Sequence, residues 1–188
     1  MQLEVLNKTL AVLTLLSHIG IGFFVFGWIF SRYFKAKLPF FKKFFSVVQK
    51  NSLVLAFIVV TFSTFLSLFY SEVMHLAPCS MCWYQRIFMF SQVFLLGMAE
   101  YNKDKNIADY SLFLSVVGGG VAIYHILLQN GLNLYTPCSV NAVVSCSEKY
   151  FNYFGYITIP VMSLTAFVMV IILMLALKDK KVGLFHNP

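Results

Sequence analysis

Pro78-Cys79-Ser80-Met81-Cys82-Trp83-Tyr84-Gln85-Arg86 opens a long apolar run, with its two thiols three residues apart. Proline is at home at a helix start, because the backbone N–H it lacks would go unpaired there in any case. A helix beginning at this point puts Cys82 in its first turn, where the helix dipole favours a thiolate. Arg86 then sits one turn deeper on the same face as Cys82. A nearby cation and a helix N-terminus both lower a thiol's pKa. The stretch therefore predicts a redox-active thiol pair at the start of a long apolar helix.

The surrounding composition says what kind of helix. Of 188 residues, 60% are hydrophobic and only 11% charged, with a mean hydropathy of +0.79. Soluble domains are nearer half apolar and about a quarter charged, so the chain reads as a membrane protein of four or five spans. It is too apolar to hold a separate soluble domain. The net charge of +7 comes from clustered basic residues, a pattern that speaks to membrane topology rather than nucleic acid.

Leu10 to Phe30 is a first apolar run of roughly twenty residues, enough to span. A cleaved signal would want a basic start, a shorter apolar core and a small-residue cleavage site. Only Lys8 precedes this run, and Phe23, Phe24, Phe26, Trp28 and Phe30 fill its end, so it is read as a retained helix. His18 lies inside it with no evident partner, and no role in chemistry is expected of it. Arg32 to Lys50 carries six basic residues and no acid, interleaved with phenylalanines. Between two spans that mixture reads as a cytoplasmic interfacial segment on anionic lipid.

Further spans follow over Leu53–Tyr70, Tyr84–Met98, Tyr110–Leu128 and Ile157–Leu177. Glu72 and His75 mark the exit of the second span, and Glu100 to Asp109 a short polar turn. Gly118-Gly119-Gly120 lies in the middle of the fourth, where small residues let helices approach closely. His125, near the outer end of that span, is expected to be structural. Gln129 to Tyr156 is a long non-spanning stretch holding Cys138 and Cys146, with seven residues between them. The aromatic cluster Tyr150, Phe151, Tyr153, Phe154 and Tyr156 that follows suits the headgroup layer. Pro160 is tolerable in the first turn of the last span.

Charge sets the expected orientation. With the N-terminus outside, the inner loops and tail collect eleven of the fourteen Lys and Arg, leaving Lys8, Arg86 and Lys149 outside or at the outer interface. The reverse placement violates the positive-inside rule. All four cysteines are then expected on the outer, oxidising side.

Three roles are open to those cysteines. They could be staples: residues at i and i+3 of a helix lie about 5–5.5 Å apart at Cα, within disulfide range. Such a link closes a tiny loop and removes little chain entropy, although Cys138–Cys146 is a more plausible staple. Four thiols could also hold zinc, but only one pair has the C-x-x-C spacing. A covalent haem would need His where Trp83 stands. The third role is a thiol–disulfide relay. A second pair on an outer loop receives electrons from a soluble protein and passes them inward. The chain has no haem, iron–sulfur or nucleotide motif, so a membrane-soluble quinone is the natural acceptor. Arg86 would stabilise its reduced form, and would otherwise be an interface anchor.

Pro-Cys-Ser-Met-Cys-Trp-Tyr-Gln-Arg, then Pro-Cys-x7-Cys-Ser-Glu-Lys-Tyr-Phe and Phe-Gly-Tyr-Ile-Thr-Ile-Pro, together resemble the DsbB/BdbC disulfide bond formation proteins over roughly Leu53 to Leu177. The resemblance implies an all-α transmembrane four-helix bundle with two essential outward cysteine pairs. It also implies oxidation of a DsbA-like thioredoxin-fold partner, with electrons going to ubiquinone or menaquinone. Transferred by position, Cys82 sits beside the quinone and forms the thiolate charge-transfer species, with Arg86 adjacent, and Cys79 is its exchanging partner. Cys138 forms the mixed disulfide with the partner, and Cys146 moves against Cys79.

The departure from the family plan is the added N-terminal helix. Residues 1–50 are expected to form that helix and a basic cytoplasmic loop, and residues 51–188 a DsbB-like membrane domain. The expected function is a protein-thiol:quinone oxidoreductase of the bacterial cytoplasmic membrane, with catalytic Cys79, Cys82, Cys138 and Cys146, quinone contacts from Cys82 and Arg86, and no metal. The rivals are a vitamin K epoxide reductase-like quinone reductase and a non-enzymatic disulfide-stapled scaffold.

Overall fold

The computed structural model describes residues 2–34, 39–104, 106–131 and 145–182. Five helices account for most of them: α1 (Gln2–Phe34), α2 (Pro39–Leu68), α3 (Ser80–Asn102), α4 (Ile107–Gln129) and α5 (Ile159–Val182). In lipid only internally satisfied backbone is stable, so apolar runs of this length fold as helices. Among the described residues, four segments are long and apolar enough to cross a membrane: Glu4–Ile29, Phe44–Val73, Ile107–Gln129 and Ile159–Lys178. At 23 residues α3 has the length but is more polar. Its Gln85, Arg86 and Gln92 are buried inside the protein, so the polarity of this helix points inward.

α2, α3, α4 and α5 form a four-helix bundle around Leu53, Val60, Leu96, Phe167, Val170 and Met174. Gly118 explains why α4 and α5 can approach. A Cβ there would stand 2.5 Å from the Phe167 ring and 3.0 Å from Phe88 Cβ, whereas one at Gly120 would meet nothing. Of the three glycines, then, Gly118 is the one held by close packing. Gln92 ties α3 to α4, its side-chain oxygen accepting from Ser111 at 2.7 Å and Ser115 at 3.1 Å. At the opposite end from the cysteines, Lys178 of α5 pairs with Asp109 of α4.

The basic stretch differs from expectation. Residues 39–50, read as part of an interfacial loop, are continuous helix with the second span. No proline or glycine interrupts the chain from 40 to 68, and lysine is a good helix former. The boundary expected at residue 50 therefore falls inside α2.

α1 packs along α5, outside the bundle. Two polar clamps hold it. The Tyr70 hydroxyl, in the π-helical turn Phe69–Val73 that ends α2, donates to Asn7 Oδ1 at 2.5 Å. His18 Nε2 lies 2.8 Å from Thr165 Oγ1, and His18 Nδ1 lies 3.2 Å from the Tyr156 hydroxyl. Thr165 spends its own hydrogen on Val161 O, so Nε2 of a neutral ring donates to it and Nδ1 accepts from Tyr156. His18 thus has partners that the sequence did not reveal.

Candidate active site

Cys79 caps α3 with extended backbone (φ −72°, ψ 170°), and its carbonyl accepts the first helical bond, from Trp83 N at 3.1 Å. Pro78 stands immediately before the cap. The C-x-x-C spacing therefore places one sulfur just ahead of the helix and the other in its first turn, and the two sulfurs lie 3.3 Å apart as free thiols.

The two sulfurs address different surroundings. Cys82 and Arg86, one turn apart, line the same apolar cavity of about 380 Å³, bounded by α1, α2, α3 and α5. Arg86 is buried, its Nε donating to Ser67 Oγ at 2.9 Å and its Nη2 to Ser67 O at 2.7 Å. The guanidinium also lies 5.2 Å from the Trp83 ring centre, within cation–π range. Among the described residues no carboxylate forms a salt bridge with it. A buried cation without a counter-ion is costly, and one beside a thiol suits an anionic or electron-rich guest.

Cys79 faces the other way, toward His125 of α4. Gln85 Nε2 donates to Met81 O and to His125 Nδ1, at 3.2 and 3.0 Å. That amide orientation makes Nδ1 the acceptor and leaves the ring hydrogen on Nε2. The Nε2–H is shared between Cys79 Sγ at 3.7 Å and the Cys146 carbonyl at 3.2 Å. The Cys79 thiol is held below the ordinary thiol range, first by its hydrogen bond with the Cys82 sulfur and then by His125, against the opposing effect of burial. Sequence reasoning favours the thiolate at Cys82. In this dithiol geometry, one proton bridges the sulfurs and His125 draws the negative charge toward Cys79.

Cys146 is buried and disulfide-bonded, and Cys138 lies outside the described residues. The segment around Cys146 is fastened over the thiols. Gln129 Nε2 donates to Glu148 O at 3.1 Å, and the Tyr150 hydroxyl donates to Ala77 O at 3.0 Å, next to Pro78. Cys79, Cys82 and His125 also bring three donor atoms within 4.8 Å of one another, a set that a soft divalent ion could use. His75, four residues before Cys79, is exposed and sits at a left-handed φ of 54°.

His125 and Gln85 are the site residues that sequence reasoning missed. Their contact spans 40 residues of chain. The available signal was a lone imidazole in the last turns of α4, at the end where the cysteine loop begins.

Residues 49–177 match the family model described as disulfide bond formation protein DsbB. A probable disulfide formation protein C 2 of Bacillus cereus is 37% identical over 135 residues, covering 71% of this chain and 96% of the relative. Disulfide bond formation protein C of Bacillus subtilis is 41% identical over 117 residues, covering 61% and 83%. A prophage-derived disulfide bond formation protein B of the same organism is 39% identical over 134 residues, covering 70% and 90%. No solved structure matches the chain. It belongs to the DsbB family of disulfide bond formation proteins, and is a multi-pass membrane protein and a disulfide-generating oxidoreductase.

Proposed function

We propose that this member of the family is a protein-thiol:quinone oxidoreductase that keeps a DsbA-like thioredoxin-fold partner oxidised. The single observation behind this reading is the split address of the C-x-x-C pair. Cys82 opens with Arg86 into an apolar cavity, while Cys79 faces His125 and the Cys146 backbone. Small-molecule sites are apolar clefts of about 300–1,000 Å³ with a few placed polar groups. The cavity beside Arg86 fits a quinone ring and the start of its tail by size and by lining.

In this reading Cys138–Cys146 is the pair that meets the partner, with Cys138 forming the mixed disulfide. The partner's dithiol is oxidised to a disulfide as that pair is reduced to two thiols. The Cys146 thiolate, already linked to Cys79 through His125, then attacks Cys79 of an oxidised Cys79–Cys82 and releases Cys82. Cys138 in turn attacks Cys146, which re-forms Cys138–Cys146 and releases Cys79, leaving Cys79 and Cys82 as the reduced pair. The bound quinone supplies a sink for two electrons and two protons, which return Cys79/Cys82 to the disulfide. Arg86 holds a positive charge beside the sulfur of Cys82 throughout, and His125 stabilises the Cys79 thiolate as it leaves. Residues 51–188 act as the catalytic membrane domain. The cysteines face the exterior of the bacterial cytoplasmic membrane, with the N-terminus outside and the C-terminus in the cytoplasm.

The test uses purified chain, a reduced thioredoxin-fold dithiol protein, and ubiquinone or menaquinone followed by stopped-flow absorbance. Quinone reduction coupled to partner oxidation is expected with at least one quinone, and Cys82→Ser should abolish it. Partner oxidation without quinone consumption would overturn the assignment of the acceptor.

A further inference from the structure

We infer that α1 is the outer wall of the acceptor cavity and sets which lipid-soluble tails can enter it. The inference rests on the quinone reading above, and its evidence lies in the one helix that falls wholly outside the family match, which begins at residue 49. Leu10, Leu13, Thr14 and Ser17 line the same cavity as Cys82 and Arg86. Thr14 and Ser17 look polar, yet both hydroxyls are spent on their own helix: Thr14 Oγ1 donates to Leu10 O at 2.8 Å and Ser17 Oγ to Leu13 O at 2.9 Å. The face that α1 presents to the cavity is therefore effectively apolar, which suits an isoprenoid tail and leaves polar recognition to Arg86.

The clamps show that this face is held in place. Asn7 and His18 are eleven residues apart, close to three helical turns, so they fall on one side of α1. Asn7 binds Tyr70 at the end of α2, and His18 binds Thr165 of α5. Between these two anchors α1 stands across the cavity rather than filling it, and Leu10–Ser17 is the span between them. The opposite side of α1, with Val12, Leu16 and Ile19, is exposed and apolar, as a lipid-facing surface should be. A tail leaving the ring site must then pass along α1, where a bare α2–α5 groove would open sideways to lipid.

Two measurements on the full-length chain test this. In the first, a long-tailed quinone with a photoreactive azide on its tail is irradiated with the wild-type protein, and labelled peptides are identified by mass spectrometry. Label is expected within residues 10–17. In the second, Ser17→Phe should raise KM for a long-tailed quinone about tenfold, and for a tail-less quinone by less than about twofold, with the rate of partner thiol exchange unchanged. Leu16→Phe, on the lipid side of the same helix, should leave both KM values alone. If the wild-type chain reduces quinone but α1 takes no label and Ser17→Phe behaves as wild type, the wall is overturned and the oxidase reading stands. If no quinone is reduced and no label is incorporated anywhere, both fall.

Discussion

The chemistry of single residues turns on Cys79. Its depressed pKa means that the thiolate persists at pH values where an ordinary thiol, near 8.5, is protonated. The sign follows directly. Reactivity toward an alkylating reagent is present above the depressed value and is lost as pH falls through it. Cys82 is the larger cause and His125 the smaller. Trapping rates measured against pH should therefore show the Cys79 inflection move up in both variants, further in Cys82→Ser than in His125→Ala. An unchanged inflection in His125→Ala would remove the imidazole from the site. At this scale the sequence was legible where chemistry is local. Cys79, Cys82 and Arg86 are tied by helical spacing alone, and the structure puts the last two in one cavity. His125 was not legible, because its link to Cys79 is made only by the packing of α4 on α3, 46 residues away in the chain.

Among the helices, α4 makes the clearest prediction. Gly118→Val would drive a branched side chain into the Phe167 ring, which is fully buried. Overpacking of this kind costs about 1–3 kcal/mol. Gly120 faces open space, and Gly120→Ala should be neutral or stabilise by up to about 1 kcal/mol through helix propensity alone. Denaturation in detergent micelles measures both, and equal effects at the two positions would contradict the packing described for Gly118. Helix existence and order were readable from apolar run length, as was the start of α3 at the Pro78–Cys79 step. The continuity of α2 was not, because a basic, aromatic stretch looks interfacial whether it is helical or irregular. Nor was the clamp on α1. Asn7 and His18 share a side of the helix, but nothing in sequence says that Tyr70 and Thr165 will be there to meet them.

At the scale of the whole molecule, the proposed topology has each of the five helices cross once, which puts the two chain ends on opposite faces. The positive-inside rule predicts that the N-terminal end is the outer one. Epitope tags at both ends of the full chain test it: external protease should remove the N-terminal tag from spheroplasts and spare the C-terminal one. The opposite pattern would turn every cysteine toward a reducing compartment and end the thiol-oxidase scheme as drawn. The exposed Lys178–Asp109 pair, at the ends of α4 and α5 away from the cysteines, is half in solvent, so Asp109→Asn should shift stability by less than about 1 kcal/mol. One feature joins the two halves of the site across the bundle. A single imidazole hydrogen is divided between the sulfur of residue 79 and the carbonyl of residue 146. Without that carbonyl the hydrogen would fall wholly to the sulfur; with it, the bond to the sulfur is shared and weaker. The thiolate of residue 79 thus receives only part of a hydrogen bond while residue 146 stays in place, which couples the chemistry of one cysteine to the position of the other.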